Sequence, residues 1–141
     1  MTTIKQLSLF LENKPGHLLA IAQTLADANI NITTLSLADT EQFGIVRLII
    51  RDWECAKAKL EKAGFVTNIC DVVAVKVAHS PGGLAKLLGI VSGVVNVEYM
   101  YAFPAHCGGS GILVFRFSDA DKAVAALRAA GSEPLGAEEI F

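Results

Sequence analysis

The chain has 141 residues, a formal charge of −2 with a pI near 5.9, and 52% hydrophobic residues at a mean hydropathy of +0.47. Its twelve Lys and Arg are scattered, which argues against nucleic acid or an anionic membrane as the principal partner, and no apolar run approaches bilayer length. Cys55, Cys70 and Cys107 are odd in number without a Cys-x-x-Cys pair, so neither a disulfide framework nor a zinc site is indicated and a reduced cytoplasm suits them.

Met1-Thr2-Thr3-Ile4-Lys5 is no signal peptide, since the apolar run after it is broken by Ser8 and stops at Glu12. Leu7, Leu9 and Leu11 are spaced by two and define one face of a first strand. Asn13-Lys14-Pro15-Gly16 turns the chain, with Pro15 expected at the first helical position and Asn13 a candidate cap. Leu18, Ile21, Ala22 and Leu25 form the stripe of an amphipathic helix ending near Asn29. Ile30-Asn31-Ile32 and Leu35-Ser36-Leu37 alternate as a half-exposed second strand, and Asp39 to Phe43 makes a turn. Gly44 to Ile50 reads as a central strand. Asp52 is placed to cap a helix carrying Trp53, Ala56, Leu60 and Ala63, which Gly64 stops before a short fourth strand over 65–70.

The order then repeats. His79-Ser80-Pro81-Gly82-Gly83-Leu84 returns the Pro-Gly turn 66 residues after the first, and Asn96-Val97 returns Asn31-Ile32. Val73, Val75 and Val77 alternate in the opening strand; Ser80 is a candidate cap for a helix with Leu84, Leu87, Leu88 and Val91 as its stripe. Val95 to Phe103 and Ile112 to Phe117 supply two strands, Ser118 or Asp119 caps the helix of Ala123, Val124, Leu127 and Ala130, and Leu135 to Phe141 is expected to close the sheet. The sequence predicts an α+β protein: a ferredoxin-like βαββαβ unit repeated twice, over 1–70 and 71–141, each an antiparallel sheet with two helices on one face. Units of about 70 residues are small for a self-sufficient core, so oligomerisation is expected. Phe10, Val46, Tyr99 and Tyr101 are candidates to line the sheet face the helices leave open.

Leu9-Phe10-Leu11-Glu12-Asn13-Lys14-Pro15-Gly16, the helical stripe behind it and Ile30-Asn31-Ile32 resemble the ACT domain family of small-molecule-binding regulatory modules. Two consecutive ACT-like units cover the chain. The second motif is weaker, with His79-Ser80 in place of Asn-Lys. The resemblance implies a protein that binds an amino acid or similar small carboxylate between paired domains and regulates a metabolic enzyme. With no enzyme domain attached, that regulation acts in trans, from a homodimer without a cofactor. Carried over by position, the ligand residues are Asn13, Lys14, Pro15, Gly16 and Asn31, with His79, Ser80, Pro81, Gly82 and Asn96 as a second set.

Chemistry supports the same positions. A helix N-terminus attracts a carboxylate, glycine lets backbone approach, and paired asparagines offer donors and acceptors to an amino acid. The structural alternative is that Pro-Gly merely starts a helix. Pro104 to Gly111 lacks the ligands of a metal site and the lysine of a phosphate loop, and is expected to be a flexible hairpin loop. Cys55 and Cys70 are expected as small buried apolar residues. No nucleophile, base and orienting group assemble into a catalytic set, so catalytic and metal residues are expected to be none. Rival readings are a ligand-free interaction subunit and a small enzyme on the same fold. An RNA-binding surface is weakest, because the third strands lack basic and paired aromatic residues.

Overall fold

The period-two leucines emerge in β1 (Ile4–Glu12), where Leu7 and Leu9 are fully buried. The computed structural model describes residues 3–39, 42–107 and 110–141. After β1 come α1 (His17–Asp27), β2 (Thr34–Asp39), β3 (Phe43–Ile49), α2 (Trp53–Lys62), β4 (Thr67–Ala78), α3 (Gly83–Val91), β5 (Val97–Cys107), β6 (Ser110–Phe117), α4 (Ala120–Ala129) and the short α5 (Ala137–Ile140). The fold is α+β with ferredoxin-like units, as the sequence predicts. The polypeptide forms two compact units, an N-terminal one of Lys5–Cys70 and a C-terminal one of Asp71–Phe141 to which Ile4 also belongs.

In the N-terminal unit β3 lies between β1 and β2, antiparallel to both, with Leu48 level with Leu7 and Leu35, and Val46 level with Leu9 and Leu37. Leu7, Leu9, Val46, Leu48 and Ile50 meet Ile21 and Leu25 of α1 and Ala56 and Leu60 of α2 in one core. Each such leucine or isoleucine contributes about 1.5–3 kcal/mol when fully buried. Val46 therefore lies on the helix side and does not line the open face. Its register with Leu9 fixes that, because a slip of one residue would turn the whole apolar set outward. Phe10, paired with Ile45, does face away and is 65% exposed.

The second strand starts later than its alternation suggests. Asn29 adopts φ 55°, its N–H bonds to the Ala26 carbonyl at 3.0 Å, and the Ile30 N–H bonds to the Leu25 carbonyl at 2.9 Å. This Schellman ending uses Ile30 as its apolar contact, so residues 30–33 form a loop and β2 begins at Thr34. Gly64 and Gly131 end α2 and α4 in the same way. Cys55 is exposed, not buried, because the inward stripe of α2 runs through Ala56 and Leu60. Cys70 is half-buried and accepts from the Gln6 amide at 3.2 Å.

The fourth and fifth predicted strands are one continuous strand. β4 closes the first unit with its opening residues and starts the second with the rest. In the C-terminal unit β6 lies between β4 and β5, and Val73, Val75, Val77, Phe115 and Phe117 pack beneath Leu87 and Val91 of α3 and Ala123, Val124 and Leu127 of α4. The Phe115 and Phe117 rings stack with centroids 5.1 Å apart.

The expected closing strand over 135–141 does not form. Leu135 makes a single antiparallel bridge to Ala74, and the chain then enters α5. Pro134 has no N–H for a ladder, and the Glu139 carboxylate accepts from the Gly136 N–H at 3.1 Å, which favours a helical start. β5 runs to Cys107, so the glycine-rich loop is shorter than predicted, and its Gly108 and Gly109 lie outside the described residues. Thr40 and Glu41, in the predicted turn after β2, lie outside them too.

Candidate ligand-binding site

The Pro-Gly copies are turns in front of their helices, not the first residues of them. The His17 N–H bonds to the Lys14 carbonyl at 3.3 Å, and Gly16 has φ 88° and ψ −14°. The Gly83 N–H bonds to the Ser80 carbonyl at 3.1 Å, and Gly82 has φ 89° and ψ −6°. Proline second and glycine third with φ near +80° is a type II turn. α1 and α3 begin one residue later, and no side chain caps either. Asn13 and Ser80 thus leave the capping role predicted for them to the glycines. The predicted Asp119 cap is realised, accepting the Lys122 N–H at 3.1 Å. Asp52 occupies the N-cap of α2 without a side-chain bond.

This geometry frees the polar side chains of the first turn. Asn13 is anchored through its N–H to the Gln42 carbonyl at 2.9 Å, while its side chain is solvent-exposed. Lys14 donates through its backbone N–H to the Glu12 carbonyl at 2.8 Å and pairs through Nζ with Glu12 Oε2 at 2.7 Å. Hydrogen bonding and charge attraction from Lys14 hold the Glu12 carboxyl below its ordinary range, and Glu12 raises Lys14 in the same way. An incoming carboxylate would compete with Glu12 for that ammonium. In the second copy His79, Ser80 and Pro81 are exposed as well.

Asn31 is exposed too, but it is not beside Asn13. β1 and β2 run parallel, so Asn13 leaves the sheet at one end and Asn31 enters it at the other, separated by α1. Asn13 is six residues past Leu7, whereas Leu35, level with Leu7 across β3, is four residues past Asn31. The paired strand residues between them, Thr34 to Leu35 and Leu7 to Glu12, alone span about 20 Å along the sheet. They cannot grip one amino acid within one unit. The second copy shows the same separation: Ala78 is level with Ser110, and Val97 with Phe117, at opposite ends of β6. Asn96 is also committed locally, since its N–H donates to Ser118 Oγ at 2.9 Å and its carbonyl accepts the Ser118 N–H at 2.9 Å.

The copies differ at one further position, Gly83, where the sequence suggests room for a ligand to approach backbone and the structure shows packing instead. Gly83, where the first copy has His17, lies so close to β4 that a Cβ there would stand 2.2 Å from the Ala78 carbonyl oxygen. The extra glycine of the second copy is a packing requirement. Its signal in the sequence was the Gly82-Gly83 pair itself.

Residues 1–130 match the family described as an ACT domain pair. The chain belongs to the ACT domain family. A protein of Bacteroides thetaiotaomicron with a known crystal structure is 38% identical, over 99% of this chain and 96% of that one, with a TM-score of 0.91. The regulatory subunits of aspartate kinase from Thermus thermophilus and Thermus flavus share the fold of the ACT pair. Their TM-scores are 0.66 and 0.64 at 19% and 20% identity, with 90% and 93% of this chain and 90% and 92% of theirs covered. No curated protein matches the sequence. Among the described residues no group of three or more His, Cys, Asp and Glu could hold a metal, and no helix is long and apolar enough to cross a membrane.

Proposed function

We propose that this ACT domain pair is a non-catalytic, cytoplasmic regulatory protein that binds an amino acid or similar small carboxylate at an ACT-domain interface and regulates a metabolic enzyme in trans. The observation that carries the reading is the separation of two exposed asparagines, Asn13 and Asn31, at opposite ends of one unit. A ligand needing both must take them from different units.

A homodimer supplies that arrangement. β2 is an edge strand, and Leu35 and Leu37 on it are 47% and 46% exposed. Antiparallel pairing of β2 with its copy would reverse one unit end for end, bringing Asn31 of the partner subunit to the end where Asn13, Lys14, Pro15 and Gly16 lie. The turn gives backbone room at Gly16, Lys14 offers an ammonium to a carboxylate, and Asn13 offers donor and acceptor together. Binding would stabilise one arrangement of units, and a partner enzyme would read it by population shift. Residues His79, Ser80, Pro81, Gly82 and Asn96 form the second, weaker set. The likeness to aspartate kinase regulatory subunits supports a regulatory role.

The test is a thermal-shift screen of the wild type, Asn13→Ala and Asn31→Ala against the proteinogenic amino acids and common 2-oxo acids. A ligand at about 100 times its dissociation constant adds roughly 2.7 kcal/mol of stability. Each single variant should lose that shift. No shift with any compound would replace the ligand-binding reading with that of a ligand-free interaction subunit, for which the exposed Phe10 and Phe43 of the open sheet face are the motivating feature.

A further inference from the structure

The C-terminal unit lacks a closing strand, so part of the β4 edge that such a strand would cover is left to something else. Val73, Val75 and Val77 are level with Phe115, Leu113 and Gly111 of β6. The Ala74 carbonyl turns the other way and accepts the Leu135 N–H at 2.8 Å. Backbone groups of alternate residues point to the same side of a strand, so Lys76 presents its N–H and C=O, and Ala78 its N–H, on that outer edge. The Ala78 carbonyl is closed off by Gly83. In the N-terminal unit the opening residues of β4 fill the corresponding place.

Past the Leu135 bridge this edge borders a cleft of about 270 Å³. Val77, Leu87 and Ile90 give it an apolar wall beneath α3, Gly131 and Ser132 form its far side, and Lys86 is its cation on the helix side. Lys76 contributes backbone alone. Its neighbours Val75 and Val77 pack beneath the helices, so its side chain lies on the opposite sheet face. No acid is among the walls, and the nearest acid in sequence, Glu133, is held by Arg128 Nε at 3.0 and 3.2 Å. The cleft has one way in: it stops at Leu135 towards Ala74, whereas beyond Ala78 the strand ends and His79 to Gly82 are exposed. A continuous strand cannot pass through it, but a chain end can enter. Lys76 to Ala78 spans about 7 Å, the length of about two or three extended residues.

We propose that this cleft binds the C-terminal residues of a partner polypeptide, which add to the β4 edge as a short antiparallel strand. A segment entering from the Ala78 end in that direction points its C-terminus towards Leu135. Its last residue, level with Lys76, donates its N–H to the Lys76 carbonyl, and a carboxylate oxygen accepts the Lys76 N–H. The residue before it, level with Val77, turns its side chain beneath α3 onto Leu87 and Ile90 and is therefore apolar. Lys86 balances the terminal carboxylate, and the lack of acids disfavours the opposite direction, which would bring an N-terminal ammonium inward. Strand addition and capture of a terminal carboxylate are both established ways of holding a peptide. This site is separate from the turn-and-asparagine site and does not depend on it.

The experiment is a titration of the full chain, followed by ¹H–¹⁵N spectra and amide hydrogen exchange, with a mixture of acetylated pentapeptides carrying Val, Ile or Leu before a free C-terminal residue. The same mixture amidated at the C-terminus is the comparison. The expected result is saturable shifts at the amides of Lys76, Ala78 and Ile90, slowed exchange of the Lys76 amide, and binding about tenfold weaker once the carboxylate is amidated. Lys86→Ala should weaken binding of the free acids by about tenfold as well, while Lys122→Ala, the same charge change on α4 outside the cleft, should leave it unchanged. Ile90→Glu, which sets a charge in the apolar wall, should abolish binding, and the rest of its spectrum reports whether it is folded. Lys86 is exposed, so its variant keeps the test open if Ile90→Glu unfolds. No saturation at millimolar peptide, equal binding of the amidated mixture, or shifts concentrated along β2 or β5 would overturn the site without recourse to any variant. Equal weakening by Lys122→Ala would overturn it too.

Discussion

The two units start from one plan and diverge at their turns. In the N-terminal unit the type II turn carries Asn13 and Lys14, and the helix behind it opens with His17. In the C-terminal unit the turn carries His79 and Ser80, and the helix opens with Gly83 pressed against Ala78. The shared part, proline and a left-handed glycine, builds the fold. The differing part is where binding can differ, so equal substitutions in the two copies should have unequal effects.

The largest expected contrast is at the residue after the turn. Gly83→Ala forces a Cβ onto backbone and should cost about 1–3 kcal/mol in chemical denaturation, whereas His17→Ala, at a half-buried position that already carries a Cβ, should cost under about 1 kcal/mol. Equal losses would mean that the two helices approach their strands alike. At the turn glycines the copies should instead agree: Gly16→Ala and Gly82→Ala each place an L-residue at φ near +88° and should each cost about 1–2 kcal/mol. The helix caps offer a smaller contrast. Asp119→Ala removes a formed cap bond and should cost about 1 kcal/mol, while Asp52→Ala, which removes none, should stay within about 0.5 kcal/mol.

The smallest effect concerns Lys14. Glu12 is held below its ordinary range and Lys14 above its own, so their pair is intact at neutral pH. It is lost as pH falls through the lowered carboxyl value or rises through the raised ammonium value. Because the pair is exposed, Glu12→Gln should leave stability unchanged and tighten binding of a carboxylate ligand only about two- to fivefold. The gain should vanish at pH values low enough to protonate Glu12 in the wild type. Weakened binding would show that Glu12 helps to hold the ligand.

Most of the fold was legible because burial imposes strict periods. Leu7 and Leu9 at a spacing of two, and Ile21 with Leu25 at a spacing of four, leave few alternatives. The errors lie where local bonds outweigh pattern. Ile30 looks like strand but serves as the apolar contact of a helix ending that Asn29 makes possible. Leu135 and Ile140 look like strand, yet Pro134 and the Glu139 bond to Gly136 redirect the chain. Pro15 fits a helix start equally well by composition, and only the φ of Gly16 distinguishes the turn. Val46 was misplaced because register across β3 is not written in any single strand. The residues proposed for the site can be named from the sequence, but their geometry cannot, since parallel β1 and β2 put Asn13 and Asn31 at opposite ends.

The claim that one ligand takes Asn13 and Asn31 from two copies of the chain is tested most directly by mixing variants. Asn13→Ala and Asn31→Ala chains are titrated calorimetrically, separately and after equilibration together, with the compound giving the largest thermal shift. Separately, neither should bind. Mixed in equal amounts, half of the dimers pair one variant with the other and regain one of two sites, so binding should return at about one quarter of the wild-type stoichiometry with wild-type affinity. A mixture that stays inactive, or either variant binding normally alone, would contradict the account.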